Sequence, residues 1–250
     1  MKNKLLKEWG AYKPIKPPYI LKGDKALLSF SKHSLYTNYN TFIKNHHPAD
    51  TKTIHLGLLP VPYAGNLAKA KIFILLLNPG FKPINYFTEY NHKPYRQALL
   101  NNLKQKNLDA KYPFLFLNPS FLWTGGGSYW SQKFGKIIEE IMGQKGWEYQ
   151  KALSHISQKV AIIQSFPYHS GKYSLTKKET KKLASPKLAR EYVRNVLKKK
   201  AESGKILVLV TRHAKAWGIE GRNIINFKGP DARAAHLVKY QKKILEYLDI

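Results

Sequence analysis

Five short apolar runs occur after residue 70, and each is followed by polar or turn-forming residues. The first, Ile72-Phe73-Ile74-Leu75-Leu76-Leu77, is stopped by Asn78-Pro79-Gly80. Short continuous apolar runs bounded by such residues are typical of strands that are buried on both faces. We therefore predict strands at residues 72–77, 114–117, 160–163, 206–210 and 223–227.

Apolar residues recur at helical spacing between and after these runs. The pattern predicts one helix around residues 130–141, which begins at Ser128 just after three glycines. A second helix is predicted at 188–197 with Ser185 as its N-cap, and a third at 237–248. Strands that alternate with helices favour an α/β fold, here a single three-layer α/β/α domain with a mostly parallel central sheet. In such sheets ligands bind at the carboxyl ends of the strands.

One domain is expected over residues 1–250. The alternating pattern begins near residue 66, so residues 66–250 are predicted to form the α/β core. Residues 1–65 contain six prolines, scattered lysines and no long periodic run. We expect this segment to be an irregular, basic N-terminal extension that wraps on the core.

The charge balance of the chain is strongly basic. There are 43 Lys and Arg residues against 15 Asp and Glu, which gives a formal net charge of +28. Self-repulsion of this size destabilises a compact state, and a polyanion is the natural compensating partner. The chain also contains 16 Tyr, 11 Phe and 5 Trp, and basic grooves with interleaved aromatics hold unstacked bases. We therefore expect a nucleic-acid partner.

The chain has no cysteine, which excludes disulfides, thiolate nucleophiles and cysteine-ligated metals. The first residues, Met1-Lys2-Asn3-Lys4, are polar, and no apolar run is long enough for a signal peptide or a membrane span. From this pattern we expect a cytoplasmic protein with no membrane partner. Nothing in the sequence requires a dimer, so a monomer is expected.

The loops after the five predicted strands contain amides, aromatics and basic residues, and Asp231 is their one carboxylate. A two-metal nuclease needs several Asp or Glu at strand ends, so this composition argues against metal-dependent cleavage of phosphodiesters. Glycines 125–127 lack the Lys-Ser/Thr ending of a phosphate-binding loop, which disfavours NTP hydrolysis. We expect no metal and no cofactor.

The segment Leu76-Leu77-Asn78-Pro79-Gly80 resembles the first motif of the uracil-DNA glycosylase superfamily, nearest the mismatch-specific uracil/thymine branch. The resemblance implies that Asn78 holds the attacking water. It also implies that Gln164, at the end of the central strand, reads the base edge, although the family usually has Asn there. Residues 228–233 fall where the family has a His-Pro-Ser-type loop that enters the minor groove, and the His is missing here. The match in order and spacing covers about residues 70–240.

The residue at position 80 bears on the size of the base. Strict uracil enzymes of the superfamily carry Tyr there, and its ring blocks substituents at C5 of a pyrimidine. Gly80, in a turn with Pro79, leaves that space open. The resemblance therefore implies a pocket that admits thymine-sized or bulkier C5-modified bases, unless Phe81 or Tyr168 refills the gap.

Other residues of these loops have candidate roles at the base. Phe81, Phe121 and Phe166 are candidates to stack on a flipped base, with Tyr168 as a further base contact. His169 is a candidate donor to the leaving base, in place of the missing loop histidine. Each of these aromatic side chains is also compatible with a place in the core.

Candidate DNA contacts follow the last two predicted strands. Arg212 and Arg233 are suited to bind phosphates bidentately. Arg233 is also a candidate wedge to fill the stack that a flipped base vacates. Lys228, Pro230 and His236 belong to the same predicted DNA-binding set.

These residues together predict a monofunctional DNA glycosylase. It would flip a modified or mismatched pyrimidine out of double-stranded DNA and hydrolyse the N-glycosidic bond, leaving an abasic site. Several loops also look like uncharacterised bacterial proteins of the superfamily, near a phage-defence glycosylase that removes a glucosylated hydroxymethylcytosine. Both DNA repair by base excision and antiviral defence therefore stay open. The alternatives are a non-catalytic DNA- or RNA-binding protein on a glycosylase-like scaffold, and a metal-dependent nuclease.

Overall fold

The computed structural model describes residues 3–30, 33–234 and 237–250, with the backbone alone for residues 233 and 234. Two sheets run through this part of the chain. Their strands are β1 (Leu35–Tyr36), β2 (Ile54–His55), β3 (Tyr63–Ala64), β4 (Ile72–Leu76), β5 (Val160–Gln164), β6 (Leu207–Val210) and β7 (Ile224–Asn226). β1 and β2 pair in parallel, and the other five strands form the central sheet.

The central sheet has the strand order β3-β5-β4-β6-β7. β4, β5, β6 and β7 are parallel, whereas the edge strand β3 runs antiparallel to β5. This confirms the mostly parallel sheet, although β3 is absent from the prediction. Leu76 pairs with Gln164 and Leu75 with Val210, so β4, β5 and β6 end level at one edge. The central strand is β4, and β5, which ends at Gln164, is its neighbour.

Alternate residues of the strands pack into two different cores, one on either face of the central sheet. On β4, Ile72 and Ile74 belong to one core, while Phe73 and Leu75 belong to the other. Helices close both cores, which is why the strands show no alternation of polar and apolar residues. The predicted α/β class, with a sheet flanked by helices, is confirmed.

Helices from the whole length of the chain cover the two faces. The α-helices of the described residues are α1 (Lys4–Ala11), α2 (Tyr39–Asn45), α3 (Ile84–Asn91), α4 (Lys93–Lys104), α5 (Gly125–Lys145), α6 (Tyr149–Lys159), α7 (Lys177–Lys181), α8 (Ala184–Tyr192), α9 (Lys198–Glu202), α10 (Ala214–Trp217), α11 (Gly229–Ala234) and α12 (Gln241–Leu248). Short 3₁₀ helices lie at Lys22–Ser29, Leu115–Leu117, Pro119–Phe121 and Leu237–Tyr240, and a π-helical turn joins α8 to α9 at Val193–Leu197. Within the described ranges, no helix has both the length and the apolar character needed to cross a membrane.

The strand predicted at residues 114–117 is wrong. Leu115–Leu117 forms a 3₁₀ helix, in which Leu117 N–H donates to Phe114 O at 2.9 Å. Local i→i+3 bonds of this kind satisfy the backbone without a neighbouring strand. The run is apolar because its side chains are buried, and burial alone does not determine whether the backbone is extended.

The start of α5 also differs from the prediction, because the helix begins at Gly125 and not at Ser128. The side chain of Thr124 caps its first turn. The glycines permit close packing: a Cβ at Gly126 would lie 2.5 Å from the ring of Phe116. The triple glycine is therefore the first turn of a helix and not a loop.

The N-cap predicted at Ser185 is wrong for a related reason. α8 begins at Ala184, and the backbone N–H of Ser185 donates to Oδ1 of Asp24 at 3.0 Å. A buried carboxylate from the N-terminal segment thus binds the first turn of α8, where the sequence predicts a hydroxyl. This contact fastens the N-terminal segment to the core.

Residues 1–65, expected to be irregular, hold several regular elements. α1 places Leu5 and Trp9 in one of the two large cores. β3 completes one edge of the central sheet, and the hydroxyl of Tyr63 donates to Leu103 O at 2.7 Å. The segment therefore contributes to both the sheet and the core.

Candidate functional site

A cavity of about 260 Å³ lies at the edge of the sheet where β4, β5 and β6 end. Its wall combines the turn after β4, the end of β5, the first turns of α5 and one face of α3. The predicted site residues that line it are Asn78, Pro79, Gly80, Phe81, Gln164, His169 and Arg212. Pockets for drug-sized ligands span roughly 300–1,000 Å³, so this smaller cavity suits one small ring system.

Asn78 lies in the turn directly after β4 and is held by the loop after β5. Its Nδ2 donates to the backbone O of Ser170 at 2.8 Å and to Ser170 Oγ at 3.1 Å. Because a backbone O only accepts, these contacts determine which arm of the amide carries the hydrogens. Oδ1 is the other arm, and it can accept a hydrogen bond from a water molecule. An amide oxygen orients a water but does not act as a strong base.

Gln164 ends β5 with its side chain buried, at 4% exposure. Its backbone N–H donates to Pro62 O at 2.9 Å. Its side-chain Oε1 is buried and has no hydrogen-bond partner within the described part of the chain. An unpaired buried acceptor costs about 1–3 kcal/mol. Gln164 lines the cavity, so a ligand that brings a donor would recover that free energy if the amide turned its oxygen toward it.

His169 is buried beside the Asn-Pro-Gly turn. Its Nδ1 lies 2.9 Å from Gly80 O, so Nδ1 carries a hydrogen and donates it. Burial lowers the pKa of His169 to about 4, and a neutral imidazole has a single N–H. With that hydrogen bound to Gly80 O, the neutral ring has no second one for a leaving base. The donor role of His169 stays a prediction.

Gly80 leaves open space beside the cavity. Its φ is +69°, in the left-handed region that favours glycine. A Cβ built there meets no atom within 4 Å outside its chain neighbours. The ring of Phe81 lies against His55, with centroids 3.4 Å apart and an interplanar angle of 11°. One face of Phe81 is therefore covered by His55, and only its other face or edge can meet a base.

Three predicted base contacts lie outside the cavity wall. Phe166 and Tyr168 are 1% and 0% exposed in a separate core, with ring centroids 5.1 Å apart. The hydroxyl of Tyr168 donates to Asp24 Oδ2 at 2.7 Å, because the loop after β5 turns toward the N-terminal segment. Phe121 is buried edge-on against Tyr95 at 5.3 Å, and it is Tyr95 that lines the cavity. None of the three is placed to stack on a ligand there.

The structure places the predicted DNA-binding residues in four different ways. Arg212 lines the cavity, while Lys228 and Pro230 are exposed at the start of α11, which forms where a loop was predicted. Arg233 lies in α11 and only its backbone is described, so the phosphate and wedge roles of its side chain stay predictions. His236 lies outside the described residues.

Cationic groups gather at the cavity. Lys82 and Arg212 line it, and burial together with the nearby charge of Arg212 lowers the pKa of Lys133. The N-terminus of α5, at Gly125, also faces the cavity and adds the positive end of a helix dipole. Apart from the carboxylate of Glu89, the charged groups at this edge are positive and favour an anion.

Sequence reasoning missed one carboxylate of the cavity wall, Glu89. It lies on α3, is 3% exposed, and accepts from Leu59 N–H at 2.9 Å and from Arg96 Nη1 at 3.0 Å. Burial raises the pKa of Glu89 to about 7, against the opposing effects of Leu59 and Arg96. Glu89 is not at a strand end, so the sequence does not indicate it as a site residue. Its burial in the structure does.

Sequence reasoning also missed the aromatic part of the wall. Tyr95, Phe116, Tyr129 and Trp130 line the cavity, and they come from α4, the 3₁₀ helix and the start of α5. The sequence predicts Trp130 as an ordinary core residue of a helix. These rings give the cavity an apolar, planar lining that suits a flat ligand.

Across the described ranges, no cluster of three or more His, Asp or Glu side chains is arranged to hold a metal ion. Comparison with family models, with curated proteins and with solved structures gave no match. What the cavity can bind follows from its own groups. They are three amides, one imidazole, one carboxylate, two cationic side chains and an aromatic wall.

Proposed function

We propose that this chain is a monofunctional DNA glycosylase that flips a modified or mismatched pyrimidine out of a duplex and hydrolyses its N-glycosidic bond. The observation that carries the proposal is the fixed amide of Asn78. Its Nδ2 is bound by Ser170 and its Oδ1 is left as an acceptor in the wall of a cavity sized for one ring. Gln164, whose Oε1 has no partner among the described residues, lines the same cavity.

The chemistry asks little basicity of Asn78. As the glycosidic bond breaks, the sugar gains the character of an oxocarbenium ion and the base leaves with the bonding electron pair. In the proposed step, Oδ1 of Asn78 accepts a hydrogen bond from a water whose oxygen adds to C1′. The water then loses a proton, and the base gains one, so the products are an abasic sugar and a neutral base.

The charge of the cavity supports the departure of an anionic base. Lys82, Arg212 and the N-terminus of α5 place positive potential where the leaving base gains negative charge. His169 is not needed for this role, because its single hydrogen is bound to Gly80 O.

The size of the base is set at Gly80. The open space beside its Cα accommodates a substituent at C5 of a pyrimidine. The aromatic wall, including Tyr129 and Trp130, offers surfaces on which the flipped ring can stack. These features support a substrate with a modified C5 position over plain uracil.

The net charge supports DNA as the partner. A formal charge of +28 lets the protein neutralise phosphates and release counterions, which gives affinity independent of sequence. Exposed cations recur on the segment that covers α7 to α9: Lys177, Lys178, Lys181, Lys182, Lys187, Arg194 and Lys199. Membership of the uracil-DNA glycosylase superfamily is part of this proposal, supported by the placing of Asn78 and Gln164 at adjacent strand ends.

The experiment incubates the protein in EDTA with duplexes that carry uracil, a thymine mismatch, hydroxymethylcytosine or glucosylated hydroxymethylcytosine. Hot alkali then cleaves any abasic site. We expect breaks at the modified position that require alkali and persist in EDTA. Breaks that need no alkali and disappear in EDTA would identify a nuclease. Tight binding with no breaks on any duplex would leave a non-catalytic DNA-binding protein.

A further inference from the structure

Glu89 is the one carboxylate among the lining residues, in a wall that otherwise offers amides, aromatic rings, an imidazole and cationic side chains. It shares one face of α3 with Asn85, four residues earlier, and both side chains line the cavity. Both hydrogen bonds that Glu89 receives go to the same oxygen, Oε1, from Leu59 N–H and from Arg96. The second oxygen, Oε2, takes part in neither bond.

The hydrogen bond from Leu59 N–H does not require a carboxylate at this position, although the ion pair with Arg96 uses one. A glutamine has the same shape, and its amide oxygen accepts from Leu59 N–H equally well. Burying a charge is costly even when it is paired, and the side chain of Glu89 is 3% exposed. A buried carboxylate in a cavity wall is a candidate functional group.

Arg96 holds Glu89 in position. Its Nη1 donates to Glu89 Oε1 at 3.0 Å and its Nη2 donates to the hydroxyl of Tyr19 at 2.8 Å. The guanidinium also lies over the rings of Tyr19 and Tyr90, 5.4 and 5.7 Å from their centroids. With Arg96 fixed on one oxygen, the carboxylate presents the other in a defined direction.

The edge of the base distinguishes two classes of pyrimidine. A pyrimidine of the cytosine type carries an amino group at C4, which donates, whereas the uracil type carries a carbonyl there, which accepts. An ionised carboxylate only accepts, so it binds the amino group and repels the carbonyl. Gln164 lines the same cavity, and its amide, which both donates and accepts, can pair with either class of base.

We infer that Glu89 recognises the exocyclic amino group of the flipped base, so that the enzyme selects C5-substituted pyrimidines of the cytosine type over those of the uracil type. This inference rests on the proposed function. It makes Glu89 a specificity-determining residue and Arg96 its positioning residue.

The test uses paired duplexes that differ only at C4 of the target base, hydroxymethylcytosine against hydroxymethyluracil, near pH 8. Excision rates are measured for wild type, for Glu89→Gln and for Glu139→Gln. Glu139 is an exposed carboxylate on α5, paired with Lys136, and its variant controls for the lost charge. Wild type and Glu139→Gln are expected to prefer hydroxymethylcytosine by roughly tenfold or more, the discrimination typical of one good contact to a base edge.

Glu89→Gln replaces Oε2 by an NH₂ group, so its expected result is a reversal. Excision of hydroxymethylcytosine falls, and excision of hydroxymethyluracil rises relative to it. If wild type removes both bases equally, or if Glu89→Gln slows both to the same extent, the inference is overturned while the glycosylase proposal stands.

A second measurement covers the case in which neither base is excised. Isothermal titration calorimetry then compares the binding of the two free bases to wild type and to Glu89→Gln. Selective binding of the amino base that Glu89→Gln abolishes would support recognition by Glu89 and contradict only the glycosylase proposal. Equal binding, or no binding of either base, would overturn the inference as well.

Discussion

The side chain of Asn78 donates two hydrogen bonds to Ser170, to its backbone O at 2.8 Å and to its Oγ at 3.1 Å. The contact joins the turn after β4 to the loop after β5, the two strands whose ends lie side by side at the cavity. It fixes the amide with Nδ2 toward Ser170 and Oδ1 as the other arm. Neither bond is predictable from the turn sequence, because the partner lies 92 positions further along the chain.

Asn78→Ala is expected to lower the excision rate by roughly 100-fold or more, because a misplaced reacting group costs about that much. Asn118→Ala is its matched control. Asn118 also precedes a proline and its Oδ1 accepts from Ser120 N–H at 3.0 Å, yet Asn118 does not line the cavity. Single-turnover rates on the best duplex compare the two variants. Similar losses in both would remove Asn78 from the mechanism.

Gln164→Leu is expected to affect the free energy of unfolding and the excision rate in different ways. It removes a buried acceptor that has no partner, so the free energy of unfolding should stay the same or rise by about 1–3 kcal/mol. Excision should fall at least about tenfold, since the contact to the base is lost. Denaturant unfolding and kcat/KM measure the two effects.

The control for Gln164→Leu is Asn226→Leu. Asn226 ends β7, and its Oδ1 is likewise buried without a partner among the described residues, but Asn226 does not line the cavity. Its variant should leave excision unchanged. A Gln164→Leu variant that retains full activity would show that the amide does not contact the base.

Glu89→Gln is expected to change how stability depends on pH. The unfolded chain releases the proton of Glu89 near its ordinary pKa of 4.5, and the folded chain releases it near 7. Between these values the folded protein holds a proton that the unfolded chain has lost, so the free energy of unfolding falls as pH rises. The permanently neutral variant lacks this contribution.

Wild type should therefore lose stability relative to Glu89→Gln between pH 4.5 and about 7, on the order of 1–3 kcal/mol in total. The groups that face Glu89 are Arg96 and the phenols of Tyr86, Tyr90 and Tyr95, which do not titrate in this range. The histidines contribute to the pH dependence of stability with the opposite sign, but they do so equally in both proteins. Their contribution therefore cancels in the difference between wild type and Glu89→Gln. A difference that is constant with pH would contradict the burial effect.

The strands of the central sheet are predictable from the sequence where both of their faces are buried. Ile72–Leu76 and Leu207–Val210 are apolar at every position because helices cover both faces. The run at 114–117 is equally apolar and equally buried, yet local bonds from Phe114 onward make it a 3₁₀ helix. An apolar run predicts burial, and the backbone conformation depends on which neighbours are available.

Part of the cavity is predictable from the sequence because the carboxyl ends of parallel strands meet. Asn78, Gln164 and Arg212 each follow or end such a strand, and the structure brings them together. Glu89 lies on a helix, and nothing in its local sequence distinguishes it from a solvated carboxylate. Tyr168 follows β5 closely, but its hydroxyl binds Asp24, 144 positions away. Contacts between residues far apart in the sequence determine which side chains reach the cavity, and they leave no local sequence pattern.

Comparing Gly80→Ala with Gly80→Tyr is expected to distinguish the effect of backbone strain on excision from the effect of filling the space beside the turn. Both place a side chain at φ +69°, which costs about 1–2 kcal/mol. Alanine leaves most of the space beside the turn open, whereas tyrosine fills it. Excision of a glucosylated base relative to uracil should drop further in Gly80→Tyr than in Gly80→Ala. Equal ratios in the two variants would show that the space beside Gly80 does not hold the C5 substituent.

The hydrolysis of a glycosidic bond at Asn78 is tested most directly by tracing the attacking water. The reaction runs in water labelled with heavy oxygen, and mass spectrometry examines the released base and the abasic strand. We predict an intact free base without label and no label at any phosphate, with both products formed roughly 100-fold or more slowly by Asn78→Ala than by wild type. Label at a phosphate, or no released base from any modified duplex, would contradict the account.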